Sequence, residues 1–289
     1  MSESALPAPS AALLVLSGAA PRPPGFAPDL EGVWGRSPWL SQLDDCPQDP
    51  LYHAEGSVGV HTRLVVDALC AAPAWRALPP PAREELYASA LLHDLGKPLT
   101  TRPEGEGRCS SRGHARVGAR VARRLLWSAG LPIPERERIC SLIEHHLVPF
   151  RAHELPDPSR QLRRIALSAD LSQLALHARA DALGRSSTLQ GELLASLELF
   201  EELVRDLQPG PGAPFASDWS RFRYFRDASR HPALEVHDDS RSEVVVMSGV
   251  VGAGKTTWVA EHRPDWPRVS LDELRAELGV SPQENQGVV

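Results

Sequence analysis

Lysine is nearly absent from this 289-residue sequence, since only Lys97 and Lys255 among its 31 basic residues are lysines. A nucleotide bias that favours arginine throughout would explain the scarcity. Alternatively, these two positions require a compact ammonium group rather than a planar guanidinium group. Each lysine lies in one of the two stretches that contain a recognisable functional motif. The second explanation therefore predicts that both lysines are functional residues.

The sequence also lacks paired cysteines, long apolar runs and an excess of positive charge. None of its four cysteines has the short spacing of a zinc-ribbon or redox site, which predicts free thiols in a reducing cytoplasm. The net charge of -6 excludes a uniformly basic nucleic-acid-binding surface. The apolar run at 11–20 has no Lys or Arg before it and is too short to cross a bilayer, so we expect no signal peptide and no membrane partner.

Changes in composition predict four regions. Residues 1–30 are rich in Ala, Pro and Ser and are expected to be disordered. Residues 31–207 form a helical domain, 208–242 a linker that begins with prolines and glycines, and 243–289 the start of an α/β domain. The linker contains a basic aromatic stretch at 219–226, which suits stacking on nucleic-acid bases or packing on the main domain. We favour packing.

Apolar residues recur with helical spacing from residue 58 onward, and no alternating pattern interrupts them, so this region is predicted to be all-α. The predicted helices are 58–71, 82–95, 114–129, 134–146, 162–167, 171–183 and 188–207. The polar segment 100–113 contains three glycines and three arginines and is predicted to be a functional loop whose arginines meet a phosphate.

An imidazole and a carboxylate stand side by side at His93 and Asp94, where an apolar run is closed by Gly96 and Pro98. This pattern predicts a helix C-terminus that presents both groups. Imidazole and carboxylate together suit first-row transition metals. Further candidate ligands on the other predicted helices are His61, His114, His145, His146 and Asp181. Adjacent helical residues diverge by about 100°, so only one of His145 and His146 should face a metal.

This order of histidines and aspartates resembles the HD phosphohydrolase superfamily over residues 47–185. The sequences HAEG at 53–56, GHA at 113–115 and RADALGR at 179–185 are most similar to HD domains fused to nucleic-acid enzymes. The resemblance implies a divalent transition metal (Mn, Fe, Ni, Co or Zn), with two ions for six ligands. We assign one ion to His61, His93, Asp94 and Asp181, and a second to His114 and His146, with Asp94 bridging.

Two choices within this set depend on the family pattern. His146 is preferred to His145 because it directly precedes Leu147, and Asp181 is preferred to Asp170 because of the residues around it.

Asp94 and Lys97 are the catalytic candidates of this domain. Lys97 follows the pair by one short turn, where its charge suits a substrate phosphate, although a solvated lysine at a helix end is an equal alternative. Arg112 and Arg185 are weaker candidates for the same role, and His53 is expected near the site.

The second stretch begins with an apolar, β-branched run at 244–247, which is typical of a buried parallel strand. The phosphate-binding motif GxxxxGK[ST] follows, and its predicted nucleotide-binding residues are Gly249, Gly252, Ala253, Gly254, Lys255, Thr256 and Thr257. In this motif backbone N–H groups surround the phosphates, the lysine reaches the β and γ phosphates, and the threonine ligates magnesium. The sequence therefore predicts a site for ATP and Mg²⁺.

Asp272 and Arg275 lie three residues apart and are expected to share a helix face. They resemble the polynucleotide kinase family, which implies that Asp272 accepts the proton of a 5′-hydroxyl and Arg275 holds a neighbouring phosphate. An ordinary surface charge pair is the alternative, and residues 283–287 are only faintly similar to the family. Because few residues follow Lys255, we expect a truncated kinase part and little or no kinase activity from this chain alone.

The two halves together resemble bacterial end-healing enzymes of RNA repair. The resemblance implies a cytoplasmic enzyme that removes 2′,3′-cyclic or 2′/3′-phosphate from RNA ends and carries an ATP-dependent 5′-hydroxyl kinase module. Two alternatives remain open, namely an HD nucleotidase acting on small nucleotides and a non-catalytic helical domain that binds RNA.

Overall fold

The computed structural model describes residues 20–207 and 215–281. The chain divides into two compact units, residues 1–237 and 238–289. Three features of the sequence lie outside the described residues: the predicted disorder over 1–19, the proline- and glycine-rich break at 208–214, and the faint family similarity at 283–287. The predicted domain boundaries therefore stay predictions.

The described part of the first unit is mainly helical, as predicted. Its α-helices are α1 Leu30–Gly35, α2 Pro38–Ser41, α3 Val58–Ala71, α4 Pro73–Arg76, α5 Pro80–Leu92, α6 Lys97–Thr100, α7 His114–Ser128, α8 Ile133–His145, α9 Pro158–Ile165, α10 Leu171–Leu183, α11 Gln190–Asp206 and α12 Asp218–Arg226. Short 3-10 helices span Val148–Phe150 and Ala152–Glu154. Among the described residues, no helix is long and apolar enough to cross a bilayer.

Local capping explains where several helices begin. The Asp157 side chain accepts a hydrogen bond from the N–H of Arg160, and proline occupies the first position of α9. For this reason α9 begins at Pro158, four residues before its predicted start. Asp170 caps α10 in the same way by accepting hydrogen bonds from two backbone N–H groups. Asp170 is therefore a helix cap rather than an alternative to Asp181.

The prediction of an all-α region was wrong at the polar loop. Two short antiparallel strands, β1 Arg102–Gly105 and β2 Arg108–Ser110, form a hairpin there, with Gly105 opposite Arg108. The turn places Gly105, Glu106 and Gly107 at φ values of 87°, 51° and 74°. Glycine adopts such angles at little cost, which allows the chain to reverse within so few residues.

Helix α5 lies at the centre of the first unit, and residues 85–92 of this helix are all buried. It packs on α3, α8 and α10, while α7 packs on α8. The turn after α5 lies directly against the start of α7, since a Cβ atom added at Gly96 would lie 2.1 Å from the carbonyl oxygen of His114. This close approach brings His93, Asp94 and His114 into one region.

The predicted packing of the basic aromatic stretch is seen at one residue of α12. Tyr224 is buried, and the Arg160 guanidinium lies 4.0 Å from its ring centroid and donates to its carbonyl oxygen. Phe222 on the same helix remains exposed and stacks on Trp219. The stretch thus attaches to α9 through Tyr224.

All four cysteines are free, as predicted. Cys46, Cys70 and Cys140 are buried, whereas Cys109 in β2 is partly exposed.

In the second unit, the described residues form α13 Lys255–His262 and α14 Leu271–Glu277. The prediction of a buried strand at 244–247 was wrong, because these residues adopt no strand and Val244 and Val246 are 81% and 83% exposed. A parallel strand requires neighbouring strands for its hydrogen bonds and covered faces for its side chains. The described part of this unit contains no neighbouring strand.

Candidate metal centre and phosphate-binding loop

Six side chains from five regions of the first unit meet at one place. Five of them are at most 1% exposed, and they are His61, His93, Asp94, His146 and Asp181. The sixth, His114, has a side chain that is 11% exposed. We call these six residues the candidate metal centre. The structure thus brings together every metal ligand predicted from the sequence.

One half of the centre surrounds Asp94 Oδ2. This oxygen lies 3.1 Å from His93 Nε2 and 3.9 Å from His61 Nε2. His61 Nε2 in turn lies 3.1 Å from Asp181 Oδ1. Helix α5 ends at Leu92, so Asp94 lies in the following turn rather than on the predicted helix, and both residues of the pair reach a centre that lies at the C-terminal end of α5.

The other half of the centre surrounds Asp94 Oδ1. His114 Nε2 lies 3.3 Å from this oxygen and 3.4 Å from His146 Nε2. His145 belongs to neither half and is only partly buried. The Asp94 carboxylate therefore stands between two groups of ligands.

Backbone carbonyls fix the orientation of three imidazoles. The Nδ1 atoms of His93, His114 and His146 lie 2.8, 2.8 and 2.7 Å from the carbonyl oxygens of residues 90, 111 and 143. Because a carbonyl only accepts, each Nδ1 carries the hydrogen and each Nε2 presents a lone pair to the centre. This is the tautomer that metal binding requires.

Glu55 fixes the orientation of the His61 imidazole in the same way. Its Oε1 lies 3.0 Å from His61 Nδ1 and 2.8 Å from His53 Nδ1, and its Oε2 accepts the N–H of Ser186. Burial raises the pKa of Glu55, but the hydrogen bonds from His53 and His61 outweigh burial and hold this pKa well below its usual value. Glu55 is therefore an ionised acceptor that orients His61.

The charges of the centre suit a cation. Burial raises the pKa of Asp181, but the Arg185 guanidinium and His61 outweigh burial and lower this pKa well below its usual value. Burial also raises the pKa of Asp94, which His93 and Lys97 lower well below normal. Burial lowers the pKa of His146 well below normal, so its ring is neutral near pH 7. Ionised carboxylates and neutral imidazoles are the forms that bind metals.

Several polar atoms of the centre are buried without a hydrogen-bond partner. They are Nε2 of His61, Nε2 of His93 and both carboxylate oxygens of Asp94. Buried polar groups are rarely left unpaired, because burial without a partner is costly. A divalent transition cation would satisfy all four atoms at once, so the residues present fit such a group.

Lys97 is buried rather than solvated. Its Nζ donates to Gln48 Oε1 at 2.6 Å and lies 2.8 Å from Asp94 Oδ2, which is an ion pair without the angles of a hydrogen bond. Arg185 forms two hydrogen bonds to the Asp181 carboxylate, at 2.6 and 2.9 Å. The third cationic candidate, Arg112, is exposed. Lys97 and Arg185 therefore neutralise the acids of the centre.

The prediction from sequence omitted two residues that contact the centre, Glu55 and His177. His177 is fully buried, its ring centroid lies 5.5 Å from that of His93 and 5.8 Å from that of His146, and its Nδ1 lies 3.1 Å from Ser89 Oγ. The sequence contained a signal for this residue, since His177 precedes Asp181 by one helical turn and so shares its face.

The predicted phosphate-binding loop of the second unit has glycine at two positions with positive φ. Gly252 and Gly254 have φ values of 79° and 80°, and α13 begins directly afterwards. Lys255 Nζ donates to the carbonyl oxygens of Gly249 and Val250 at 2.8 and 2.9 Å. The remaining predicted nucleotide-binding residues, Ala253, Thr256 and Thr257, are exposed.

Asp272 and Arg275 lie on α14 as expected. Arg275 donates to Asp272 at 2.9 Å, and the Asp272 side chain is 93% exposed. This geometry is that of a surface charge pair.

Residues 59–183 match the HD domain family model. The chain is 36% identical over 141 residues to a CC-adding tRNA nucleotidyltransferase of Thermus thermophilus, which covers 48% of this chain and 31% of the relative. It is 35% identical over 127 residues to an A-adding tRNA nucleotidyltransferase of Deinococcus radiodurans, covering 44% and 29%. It is 33% identical over 118 residues to a Multifunctional CCA protein of Halorhodospira halophila, covering 41% and 26%.

The chain spans less than a third of the length of each of these three relatives. The matched family region contains the whole candidate metal centre and ends before the predicted phosphate-binding loop. Residues 59–183 of the helical unit are therefore similar to the HD domain family, and the chain is similar to segments of tRNA nucleotidyltransferases.

Proposed function

We propose that the helical unit is a phosphohydrolase that removes 2′,3′-cyclic phosphate or 2′/3′-phosphate from RNA ends. The observation that carries the proposal is the meeting of unpaired, buried Nε2 and carboxylate oxygen atoms around Asp94. The names of the relatives describe enzymes that act on tRNA, which supports an RNA end as the substrate.

His61, His93, Asp94 and Asp181 would hold one divalent cation, and His114 and His146 would share Asp94 with a second. Such cations act as Lewis acids on phosphoryl oxygens and generate a nucleophile from water near neutral pH. The chain's own residues prepare the centre for this chemistry. Carbonyls and Glu55 keep each imidazole in the binding tautomer.

Lys97 and Arg185 place two fixed positive charges beside the acids of the centre. The Lys97 side chain is 8% exposed and the Arg185 side chain is 11% exposed, so each buried cation keeps a small solvent-facing part beside the centre. A phosphate that enters there meets the Lys97 ammonium next to Asp94. We therefore assign Lys97 to substrate phosphate binding and Arg185 to holding Asp181.

Hydrolysis by the purified chain tests the proposal. With Mn²⁺, Ni²⁺ or Co²⁺ present, the protein should hydrolyse 2′,3′-cyclic and 2′-phosphate ends, and the His93→Ala variant should not. If both proteins are equally inactive, or equally active, the assignment is wrong. Comparison of mononucleotide with oligonucleotide substrates separates an RNA enzyme from a nucleotidase.

Elemental analysis tests the non-catalytic alternative. A helical domain that only binds RNA would retain no transition metal after gentle purification. The hydrolase should retain metal, and the His61→Ala variant should retain less.

We also propose that the loop at 249–257 binds ATP and Mg²⁺ as part of a kinase module that residues 243–289 begin. The positive φ of Gly252 and Gly254 and the position of Lys255 beside the loop carbonyls support nucleotide binding. In the module, Asp272 would accept the 5′-hydroxyl proton and Arg275 would hold a neighbouring phosphate. We expect the wild-type chain to bind ATP, the Lys255→Ala variant to bind it weakly, and neither to phosphorylate a 5′-hydroxyl oligonucleotide efficiently.

A further inference from the structure

One face of α7 carries a row of unpaired positive charges. Arg116, Arg120 and Arg124 follow one another at four-residue spacing, and all three are exposed. None of them has an ion-pair or hydrogen-bond partner among the described residues, whereas the neighbouring Arg123 pairs with Glu137 at 2.8 Å. We call these three residues the arginine stripe.

The charge of the stripe requires an explanation outside the helix. Helix α7 contains four arginines and no acidic residue, although the chain has a net charge of -6. Like charges at four-residue spacing repel one another and disfavour the helix. The positive charge of the stripe therefore does not stabilise α7. Its sign is the one that complements a polyanion.

The stripe begins in the same turn of α7 as His114 but on the opposite side of the helix, because helical residues two apart point about 200° away from each other. His114 is the first residue of α7 and the most exposed of the six residues of the centre, so the centre meets solvent near the first turn of this helix. Arg116 lies two residues later. With a rise of 1.5 Å per residue, the stripe then extends about 12 Å along the helix surface to Arg124.

An exposed aromatic ring lies at the far end of the stripe. Trp127 follows Arg124 by three residues on the same helix face and is 68% exposed. The Arg136 guanidinium stacks at 4.8 Å from the ring centroid, and the ring remains open to solvent. Exposed indole rings beside a basic track are platforms on which the bases of single strands stack.

We propose that the arginine stripe and Trp127 bind a single-stranded RNA. The arginines would contact successive phosphates, about 6 Å apart along the helix, and Trp127 would stack on a base. This inference rests on the proposed function and extends it, since it names a surface that binds the RNA. Recognition is independent of base sequence because the arginines contact only the backbone.

Fluorescence anisotropy with a labelled RNA that ends in a 3′-hydroxyl tests the proposal without any hydrolysis. The wild-type chain is compared with Arg120→Gln/Arg124→Gln, and with a matched control, Arg36→Gln/Arg205→Gln, which removes two exposed arginines elsewhere in the first unit. We expect binding by the stripe variant to be roughly tenfold weaker, since each exposed charge contact contributes modestly. The slope of log affinity against log salt should decrease by about 1.4, because each single-strand phosphate contact contributes about 0.7.

Substitutions of Trp127 test the proposal independently of the arginines. Trp127→Ala should weaken RNA binding, and Trp127→Phe should restore much of it because a phenyl ring still stacks. Equal losses of RNA affinity in the stripe variant and the control would overturn the proposal. Unchanged RNA affinity of the stripe variant would also overturn it. So would tighter binding of the wild-type chain to anionic vesicles or single-stranded DNA than to RNA. Hydrolysis of terminal phosphates is assayed separately, so failure of the proposed activity is distinguished from failure of the stripe.

Discussion

At the scale of single residues, the position of Asp94 organises the centre. Its two carboxylate oxygens face two different sets of imidazoles, with His61 and His93 on one side and His114 on the other. A residue on a regular helix next to His93 would point about 100° away from it. Asp94 and His93 reach the same centre because it lies at the C-terminal end of α5.

Glu55 is expected to control metal affinity through His61. In Glu55→Gln one side-chain oxygen is replaced by an N–H donor and the negative charge is lost, so the Nδ1–H tautomer of His61 is held less firmly. We expect a 10- to 100-fold loss of metal affinity, about the usual effect of removing such an outer partner. Calorimetric titration of the metal measures the loss. The exposed control Glu198→Gln should bind metal as the wild type does, and equal affinity of the Glu55 variant would contradict this role.

The four thiols are expected to differ in reactivity. Burial raises the pKa of Cys70 to about 12 and that of Cys140 to about 11, so both are protonated at pH 8. Cys109 is partly exposed in β2. A thiol reagent at pH 8 should therefore modify Cys109 first and should reach Cys70 and Cys140 only after denaturation. Mass spectrometry of modified peptides identifies the order, and early modification of Cys140 would show that its surroundings are open.

At the scale of elements, the close approach of the α5–α6 turn to α7 holds the two halves of the centre together. A Cβ atom at Gly96 would also lie 2.6 Å from the backbone nitrogen of Gly118. Both of these neighbouring atoms belong to the backbone, so they cannot move aside as a flexible side chain can. The hairpin of β1 and β2 spans the connection between the two elements.

Gly96→Ala is expected to destabilise the protein by about 2 kcal/mol, within the range for overpacked sites. The added methyl group forces the turn away from α7. Gly191→Ala is the matched control, because an added Cβ there meets no atom within 4 Å and alanine favours the α11 helix. Denaturant unfolding should show a loss for the first variant and no loss for the second. Equal stability of both variants would mean that the turn adapts freely.

At the scale of the whole molecule, five regions of the first unit must fold before the centre exists. An unfolded chain cannot assemble the same ligands, so a metal that binds only the folded state stabilises it. At a metal concentration one hundred times the dissociation constant, the gain is about 2.7 kcal/mol.

Addition of Mn²⁺, Ni²⁺ or Co²⁺ is therefore expected to raise the melting temperature of the wild-type chain, as calorimetry would show. The variants His93→Ala and Asp181→Asn should show little increase. His153→Ala is the control, because His153 is exposed and lies outside the centre. A similar increase in all of these proteins would indicate that the metal binds elsewhere.

The sequence by itself determined the helical character of the first unit and the identity of the residues in the centre. Periodic apolar residues are a local signal, and α3 and α10 were predicted with their observed bounds. The pair at His93 and Asp94 and the order of the other ligands were also readable along the chain.

Only the tertiary structure decided which way these side chains point and what holds them. The roles of Glu55 and His177 depend on contacts between elements of the fold, and the position of His177 beside His93 joins segments far apart in sequence. A local pattern specifies which face of a helix is apolar, but it does not specify the neighbour against which that face packs. For that reason the ligands were predictable, whereas the orienting role of Glu55 and the pairing of Lys97 and Arg185 with the acids of the centre were not.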